Sequence, residues 1–258
     1  MSPAYYAVLL AAGLFAGMVL FLELGRRIGA RRMREDPEGA KAGKGAIEGA
    51  VFALFGLLLA FTFSGAASRF DDRKHLVVEE ANDIGTAFLR VDLLPVEVQP
   101  ELRDLFRAYL DSRIATYRKL PDVPAAYAEL ARSVELQGKI WSRVMQSTRV
   151  TGSTPSTTLV VSALNDMFDI VTTRTMATKM HPPQILFGLL FVLALGCSVV
   201  AGYGMAESRR RSWIHMIGFA AVTALTVYVI LDMEYPRFGL IRVDAVDEVL
   251  VQLRQSMN

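Results

Sequence analysis

Four apolar runs, each about as long as a bilayer is thick, set the plan of this chain. They cover residues 5–24, 46–66, 184–205 and 213–231. The hydrocarbon core of a membrane measures roughly 30 Å, and a helix of about 20 apolar residues spans it. The pattern therefore predicts four transmembrane helices, with the lipid bilayer as an obligatory partner.

The position of these runs predicts two helical pairs on either side of an aqueous domain. The first transmembrane pair is expected in residues 1–66 and the second in residues 183–233. Residues 67–182 lie between them and are numerous enough for a core of their own. Residues 234–258 form a tail with a short amphipathic helix, for which Asp244 is a suitable N-cap.

The aqueous domain has the periodicity of helices. Pro100 suits the first turn of a helix, and apolar residues then recur at three- and four-residue steps, at Leu102, Leu105, Phe106, Tyr109, Leu110, Ile114 and Tyr117. Further helices are predicted from Pro124 to about Thr148 and from Ser156 towards His181. The predicted fold class is an all-α membrane protein whose central aqueous domain is continuous with the second transmembrane helix.

That continuity rests on the second apolar run, which passes into charged sequence without a helix breaker. AIEGAVFALFGLLLAFTFSGA leads directly into SRFDDRKHLVVEEANDIGTAFLR, and the first proline follows only at Pro95. One helix is therefore expected to leave the bilayer and enter water. Such a helix ties an aqueous domain to a membrane path, which favours a pore, a transducer or an anchor over an enzyme.

The membrane part of this helix has two different edges. One is a stripe of small residues, which allow close helix packing in lipid: Gly49, Ala53, Gly56, Ala60 and Ser64. The other is bulky and largely aromatic, and consists of Phe52, Phe55, Leu59 and Phe63. The bulky edge is either a hydrophobic neck that gates a pore by dewetting or a packing surface towards lipid and neighbouring helices.

Charged residues stand at both ends of the same stretch. Glu48 precedes the bulky edge, and Arg69, Asp72 and Arg73 follow it. Around a pore these four would be mouth residues that concentrate ions. The alternative is a solvated helix face with local ion pairs. Asp232 and Glu234 at the end of the fourth run likewise either collect cations or anchor a helix end.

Basic residues predict the orientation in the membrane. Short loops rich in Lys and Arg usually stay in the cytoplasm, and the two short loops contain Arg26, Arg27, Arg31, Arg32, Arg34, Lys41, Lys44, Arg209, Arg210 and Arg211. This places the aqueous domain outside the cytoplasm. The bias is modest, because the opposite membrane ends also carry Arg69, Arg73, Lys74, Arg174, Lys179, Arg237 and Arg242.

Composition excludes several functions. The formal net charge is +2, and the basic residues lie beside membrane ends, so no nucleic-acid partner is predicted. Cys197 is the single cysteine and has no disulfide partner in the chain. His75 and Glu79 share a helix face, but two ligands do not define a metal site. No nucleotide-binding or catalytic motif is present, so neither a cofactor nor an enzyme activity is predicted.

Four phrases, occurring in order along nearly the whole chain, resemble the bacterial bestrophin-like membrane proteins. They are GAIEGAVFALFGLLLAFTFSGAASRFDDRK, VVEEANDIGTAFLRVDLLP, HPPQILFGLLFVLALGCSVVAGYGMA and LDMEYPRFGLIRVD. The resemblance implies a bacterial inner-membrane protein that is distantly similar to bestrophins, which are pentameric anion channels with a neck on the second span. The bestrophin tryptophan pair is absent here, and Phe70 and Asp71 stand in its place.

Two functions from different classes follow. The leading hypothesis is a homo-oligomeric ion channel, with a pentamer favoured, inorganic ions as the substrate and anions as a possible conducted species. The alternative is a membrane-anchored sensor or scaffold whose helical aqueous domain binds a ligand or partner and passes a shift through the second span.

Overall fold

The structure is a computed structural model that describes residues 3–36, 44–151, 155–207 and 212–257. Every regular element in these ranges is helical. The α-helices are α1 (Pro3–Glu35), α2 (Lys44–Arg90), α3 (Gln99–Arg118), α4 (Val123–Thr151), α5 (Pro155–Ala177), α6 (Gln184–Gly204), α7 (Trp213–Glu234) and α8 (Glu248–Ser256). Short 3₁₀ turns lie at Val91–Leu93, Val96–Val98, Met205–Glu207 and Asp244–Asp247. The predicted all-α fold class is confirmed.

Four of the described helices are long and apolar enough to cross a membrane, namely α1, α2, α6 and α7. They contain the four runs predicted from hydropathy, except that α6 ends at Gly204, one residue before the end of the third run. The helix α2 is unbroken over 47 residues, from Lys44 to Arg90, so the continuity predicted for the second span is also confirmed. The basic loop residues Lys41, Arg209, Arg210 and Arg211 lie outside the described residues.

The chain divides into two compact units. The first unit comprises Met1–Arg69, His181–Tyr235 and Gly239–Ile241, and the second comprises Phe70–Met180, Pro236–Phe238 and Arg242–Asn258. The first part of α2 thus belongs to the first unit, and the part after Arg69 belongs to the second. The division expected from the sequence, into two transmembrane pairs, an aqueous domain and a tail, remains a prediction.

The first unit is held together by close approach of α1 and α6. A Cβ atom added at Gly25 would lie 2.0 Å from the Val199 carbonyl oxygen, and one added at Gly202 would lie 2.0 Å from the Leu22 carbonyl oxygen. Only glycine allows the two backbones to come this near, as expected for helices packing in lipid. Cys197 is buried in the apolar core beside this contact, where it serves as a small packing residue.

The second unit has the core of a water-soluble helical bundle. Val77, Ile84 and Phe88 of α2 are buried in it together with residues of α3, α4, α5 and α8. The ring of Phe88 meets that of Phe106 edge to face, with centroids 5.9 Å apart. Full burial of a side chain such as Phe106 contributes about 1.5–3 kcal/mol. This apolar core stabilises the unit.

The tail forms the predicted short amphipathic helix, and α8 packs into the core of the second unit through Leu250. The sequence-based prediction for its N-cap was wrong. Asp244 begins a 3₁₀ turn, and the N-cap position of α8 is Asp247. The Asp244 carboxylate instead binds Arg237 and Arg242, because an ion pair to two guanidinium groups competes with a cap.

Candidate functional site on the second helix

The bulky edge of α2 lies mostly against other helices of its own chain. Phe55 is only 5% exposed within the core of the first unit. Phe52 and Leu59 are half-buried against that core, and the Phe52 ring meets Phe219 of α7 at a centroid distance of 6.0 Å. Phe63 differs, with 42% of its surface exposed. Of the four neck candidates, only Phe63 lies largely on the surface of the unit.

The small-residue stripe points away from the rest of the unit. Its five members are all exposed: Gly49, Ala53, Gly56, Ala60 and Ser64. A Cβ atom added at Gly49 or Gly56 would meet nothing within 4 Å among the described residues. Leu57 and Phe61 lie on the same exposed side of the helix. Within one chain, this face of α2 is therefore uncovered and apolar.

The two mouth candidates in the first unit have different surroundings. Glu48 is half-buried beside the end of α6, where a Cβ atom at Gly204 would lie 3.5 Å from its Oε1. Arg69 donates from Nε to Glu234 Oε1 at 2.9 Å, and its Nη2 binds the same oxygen. Arg69 is thus engaged in an ion pair across the unit and is not a free charge.

Glu234 is the centre of a small polar cluster. Its side chain is 2% exposed, and its other oxygen, Oε2, lies 3.3 Å from His181 Nδ1. The His181 ring stacks on Tyr235 at a centroid distance of 4.6 Å. A buried carboxylate needs partners of this kind, because removing its charge from water is costly. Glu234 therefore joins the membrane end of α2 to the end of α7.

Asp232 also serves as an anchor. One oxygen, Oδ2, accepts hydrogen bonds from the backbone N–H groups of Leu240 and Ile241, at 2.9 and 2.7 Å. A Cβ atom at Gly239 would lie 1.8 Å from Asp232 Oδ1, so the turn requires glycine there. Of the two roles that the sequence left open for Asp232 and Glu234, these contacts fit the anchoring of helix ends.

In the second unit, basic and acidic side chains just beyond the membrane run have different exposure. Arg73 is buried, and it donates to the carbonyl oxygens of Ala177 and Met180 at 3.2 and 3.1 Å. Asp72 and Glu79 are exposed. Lys74 pairs with Asp71 at 2.7 Å and lowers the pKa of that carboxyl. The free charge on the outer side of this helix is therefore mainly acidic.

A buried ionic network lies further along the same helix. Both oxygens of Glu80 are taken by guanidinium groups, one by Arg113 Nε and the other by Arg174 Nη1. Burial alone would raise the pKa of the Glu80 carboxyl, but Arg174 and Arg113 outweigh that effect and lower it from 4.5 to about 2. Arg113 Nη2 also donates to the Tyr117 hydroxyl at 2.7 Å. The network joins α2, α3 and α5 within the second unit.

The same network extends to the tail. Three guanidinium groups surround the ring of Tyr117, with distances to its centroid of 4.1 Å for Arg174, 4.7 Å for Arg237 and 5.3 Å for Arg113. Arg237 also binds Asp247 through Nη2 at 2.9 Å. Sequence reasoning missed this cluster and the Arg69–Glu234 pair. The cluster combines residues of α2, α3, α5 and the tail, which are far apart along the chain, so local spacing does not predict it.

The second unit also has a surface groove between α4 and α5. Its lining is rich in hydroxyl groups and consists of Met145, Thr148, Arg149, Thr157, Thr158, Val161, Ser162 and Asn165. The groove opens to solvent. Among the described residues, no group of three His, Cys, Asp or Glu side chains is arranged to hold a metal ion.

Solved structures of a bacterial bestrophin homologue from Klebsiella pneumoniae resemble this chain in fold. A tryptophan-to-alanine variant gives a TM-score of 0.72 at 12% identity, covering 96% of this chain and 97% of that chain. A tyrosine-to-alanine variant gives 0.66 at 14% identity, covering 93% and 97%. The structure solved by Zn-SAD phasing gives 0.66 at 12% identity, also covering 93% and 97%.

Among curated proteins, none matches the chain. A family model described as the Bestrophin-like domain matches residues 12–246. This match extends from within α1 to the 3₁₀ turn at Asp244–Asp247 in the tail and includes all of α2. The chain is therefore a member of the bestrophin-like family.

Proposed function

We propose that copies of this chain assemble around α2 into an ion channel. One observation carries the proposal. Within one chain, only 6% of the most apolar window of α2 is buried, compared with 22% for α1, 28% for α6 and 39% for α7. A span that the other helices leave so uncovered is available to neighbouring copies or to a central axis.

The stripe of small residues supports assembly. Gly49, Ala53 and Gly56 are exposed and would let a neighbouring helix approach closely in lipid. The number of subunits comes from the family resemblance, which favours a ring of five. In such a ring, part of the exposed face of α2 would contact the next copy and part would line the axis.

The hydrophobic neck is proposed on the exposed side of the helix. Phe63 reaches the axis without repacking, whereas Phe55 would first have to leave the core of the first unit. Phe52 and Leu59 contact that core and would support the neck from behind. An apolar ring at this depth would gate by dewetting.

The charges beyond the neck bear on selectivity. The resemblance to bestrophins suggests anions, while the exposed carboxylates of Asp72 and Glu79 favour cations. The two positively charged mouth candidates are already engaged: Arg69 binds Glu234, and Arg73 binds backbone carbonyl oxygens. The reversal potential in a salt gradient across a planar bilayer decides the sign of the conducted ion.

The test of conduction uses purified protein in planar bilayers. Phe63→Ala should increase the open probability or conductance at least severalfold, because it widens an apolar constriction. Leu225→Ala is the matched control, since Leu225 is an exposed apolar residue on another span, α7, and its truncation should leave the current unchanged. Absence of current under varied ions, pH and voltage, together with a monomeric mass, would refute the channel.

Sidedness is proposed from the basic loops, which place the second unit outside the cytoplasm. Glu135→Cys puts a thiol on the exposed side of α4, while native Cys197 is buried and should stay unreactive. A membrane-impermeant maleimide should label this variant in intact spheroplasts. Labelling only after lysis would reverse the orientation.

A sensor or scaffold is the second candidate, and the α4–α5 groove is the observation that favours it. Arg149, Asn165 and the surrounding hydroxyls offer polar contacts to a ligand. A non-conducting protein whose thermal stability rises with a small polar ligand, and loses that response in Arg149→Ala, would support this function over the channel.

A further inference from the structure

The ionic network of the second unit contains more buried positive than negative charge. Arg113, Arg174 and Arg237 are all buried, and the carboxylates wholly committed to them are those of Glu80 and Asp247. Asp244 also contacts Arg237, but it is 39% exposed and is shared with Arg242 at the surface. Glu80, at 0% exposure, is thus the one fully buried carboxylate that these three guanidinium groups contact, while Asp247 and Asp244 are 21% and 39% exposed.

Arg113 has a nitrogen that this network leaves unused. Its side chain is completely buried, with Nε bound to Glu80 and Nη2 bound to the Tyr117 hydroxyl. Nη1 is the one buried side-chain nitrogen or oxygen in the described part of the chain that has no hydrogen-bond partner. A buried N–H of a charged group that lacks an acceptor is strongly unfavourable.

The acceptors of the network are engaged with other donors. Both Glu80 oxygens are already bound, one by Arg113 itself and one by Arg174. The nearby Tyr109 hydroxyl accepts from Gln137 at 3.2 Å. No acceptor in the described part of the chain makes a hydrogen bond to Nη1, so an acceptor from outside the chain would complete it. Water would satisfy the hydrogen bond, but only an anion would also neutralise the excess charge.

We propose that a small monovalent anion of halide size, chloride in the cell, binds at Arg113 Nη1 inside the second unit. The complete burial of Arg113 and Glu80 favours a single-atom ion over phosphate or another polyatomic anion. Tyr117 is half-exposed and adjoins Arg113, so the ion enters on the side of its ring. This site is independent of ion conduction and stands if the channel fails.

The test compares anions at constant ionic strength. Purified full-length protein is melted in sodium gluconate with increasing fractions of sodium chloride or bromide. A ligand that binds only the folded state raises the Tm in proportion to the logarithm of its concentration above Kd. We expect Tm to rise by several degrees in both halides relative to gluconate. Equal Tm values in all three salts mean that the site holds water only and refute the proposal.

Variants localise the effect to this nitrogen. Arg113→Lys keeps the charge but removes the guanidinium fork, and it should abolish the difference between halide and gluconate. Arg107→Lys is the matched control on the same helix, because Arg107 pairs with Asp104 at the surface, and it should keep the difference. A halide response that survives in Arg113→Lys would overturn the assignment.

A direct observation covers the case in which Arg113→Lys does not fold. Crystals of the unmodified protein grown in sodium bromide should give an anomalous peak within about 3.5 Å of Arg113 Nη1, the usual limit for a contact of this kind. The site would be refuted if bromide peaks occurred only at other positions, or if a water molecule occupied the position next to Nη1 in these crystals.

Discussion

The two units of this protein bury polar groups in opposite ways. In the first unit, the buried charges among the described residues lie only at the end of α7, at Asp232 and Glu234. The second unit buries Glu80, Arg113 and Arg174 in the middle of its bundle. The first unit holds its helices together by backbone proximity at glycines, and the second by an apolar core that surrounds an ionic network.

The difference follows from the solvent of each unit. In lipid, burying an apolar side chain gains little, so close packing at small residues supplies the attraction between helices. In water, apolar burial drives folding, and an ionic network inside the core is tolerated only when its members are paired. Mutations should therefore destabilise the first unit mainly by disturbing close helix packing, and the second mainly by reducing apolar burial or leaving a buried charge unpaired.

The largest effect is expected where two backbones touch. Gly202→Ala would bring a Cβ atom to within 2.0 Å of the Leu22 carbonyl oxygen and force α1 and α6 apart. We expect most of the protein to be lost as aggregate in detergent, as measured by fluorescence size-exclusion chromatography. Gly196→Ala on the same helix is the control, because an added Cβ atom there meets nothing within 4 Å among the described residues, and it should elute normally. A normal profile for Gly202→Ala would contradict the glycine contact.

The next largest effect concerns the ionic network. Arg174→Met removes one partner of Glu80 and should cost about 3–5 kcal/mol of unfolding free energy, because a buried charge loses compensation. Arg143→Ala removes a surface partner of Glu101 and should cost less than about 1 kcal/mol. Urea unfolding followed by tryptophan fluorescence measures both. Equal losses would mean that the network contributes no more than a surface pair.

Acid should weaken the second unit through the same carboxyl. The pKa of Glu80 is lowered from 4.5 to about 2 in the folded protein. Its contribution is therefore complete above about pH 4.5 and is lost as the pH falls towards 2. Between pH 5 and pH 3 the Tm of the native protein should fall more steeply than that of Glu80→Gln. Parallel curves would show that another group controls acid unfolding.

The smallest effect on folding is expected on the uncovered face of α2. A Cβ atom added at Gly56 meets no atom within 4 Å among the described residues, so Gly56→Leu should change the unfolding free energy by less than about 0.5 kcal/mol. If copies pack at this stripe, the added side chain should nevertheless shift the oligomer towards smaller species. Native mass spectrometry measures the shift, and an unchanged oligomer would place the contact elsewhere.

Sequence predicted the elements of this fold better than their surroundings. Apolar length and the missing helix breaker were sufficient for α2, because both are local properties of the chain. Which edge of α2 is covered depends on α1, α6 and α7, so the sequence did not reveal that Phe55 is buried and Phe63 exposed. The Gly25–Gly29 spacing of four residues was a local sign of the α1–α6 contact.

The polar clusters had no such sign. Arg69 and Glu234 are 165 residues apart, and Glu80 and Arg174 are 94 apart. Charges next to each other in sequence, such as Arg69, Asp72 and Arg73, have different surroundings in the structure. Their roles depend on partners brought by folding, so spacing within the helix does not identify them.

The unbroken length of α2 also limits which changes of length the gene can accept. Each of its 47 residues advances the helix by about 100°. One residue inserted between Val77 and Ile84 would rotate the later part of the helix by that angle relative to the earlier part and turn core positions such as Phe88 towards solvent. Seven inserted residues make nearly two full turns and would almost restore the faces. Whether an insertion in this helix is tolerated should therefore depend on how nearly it completes whole turns, and not on its length.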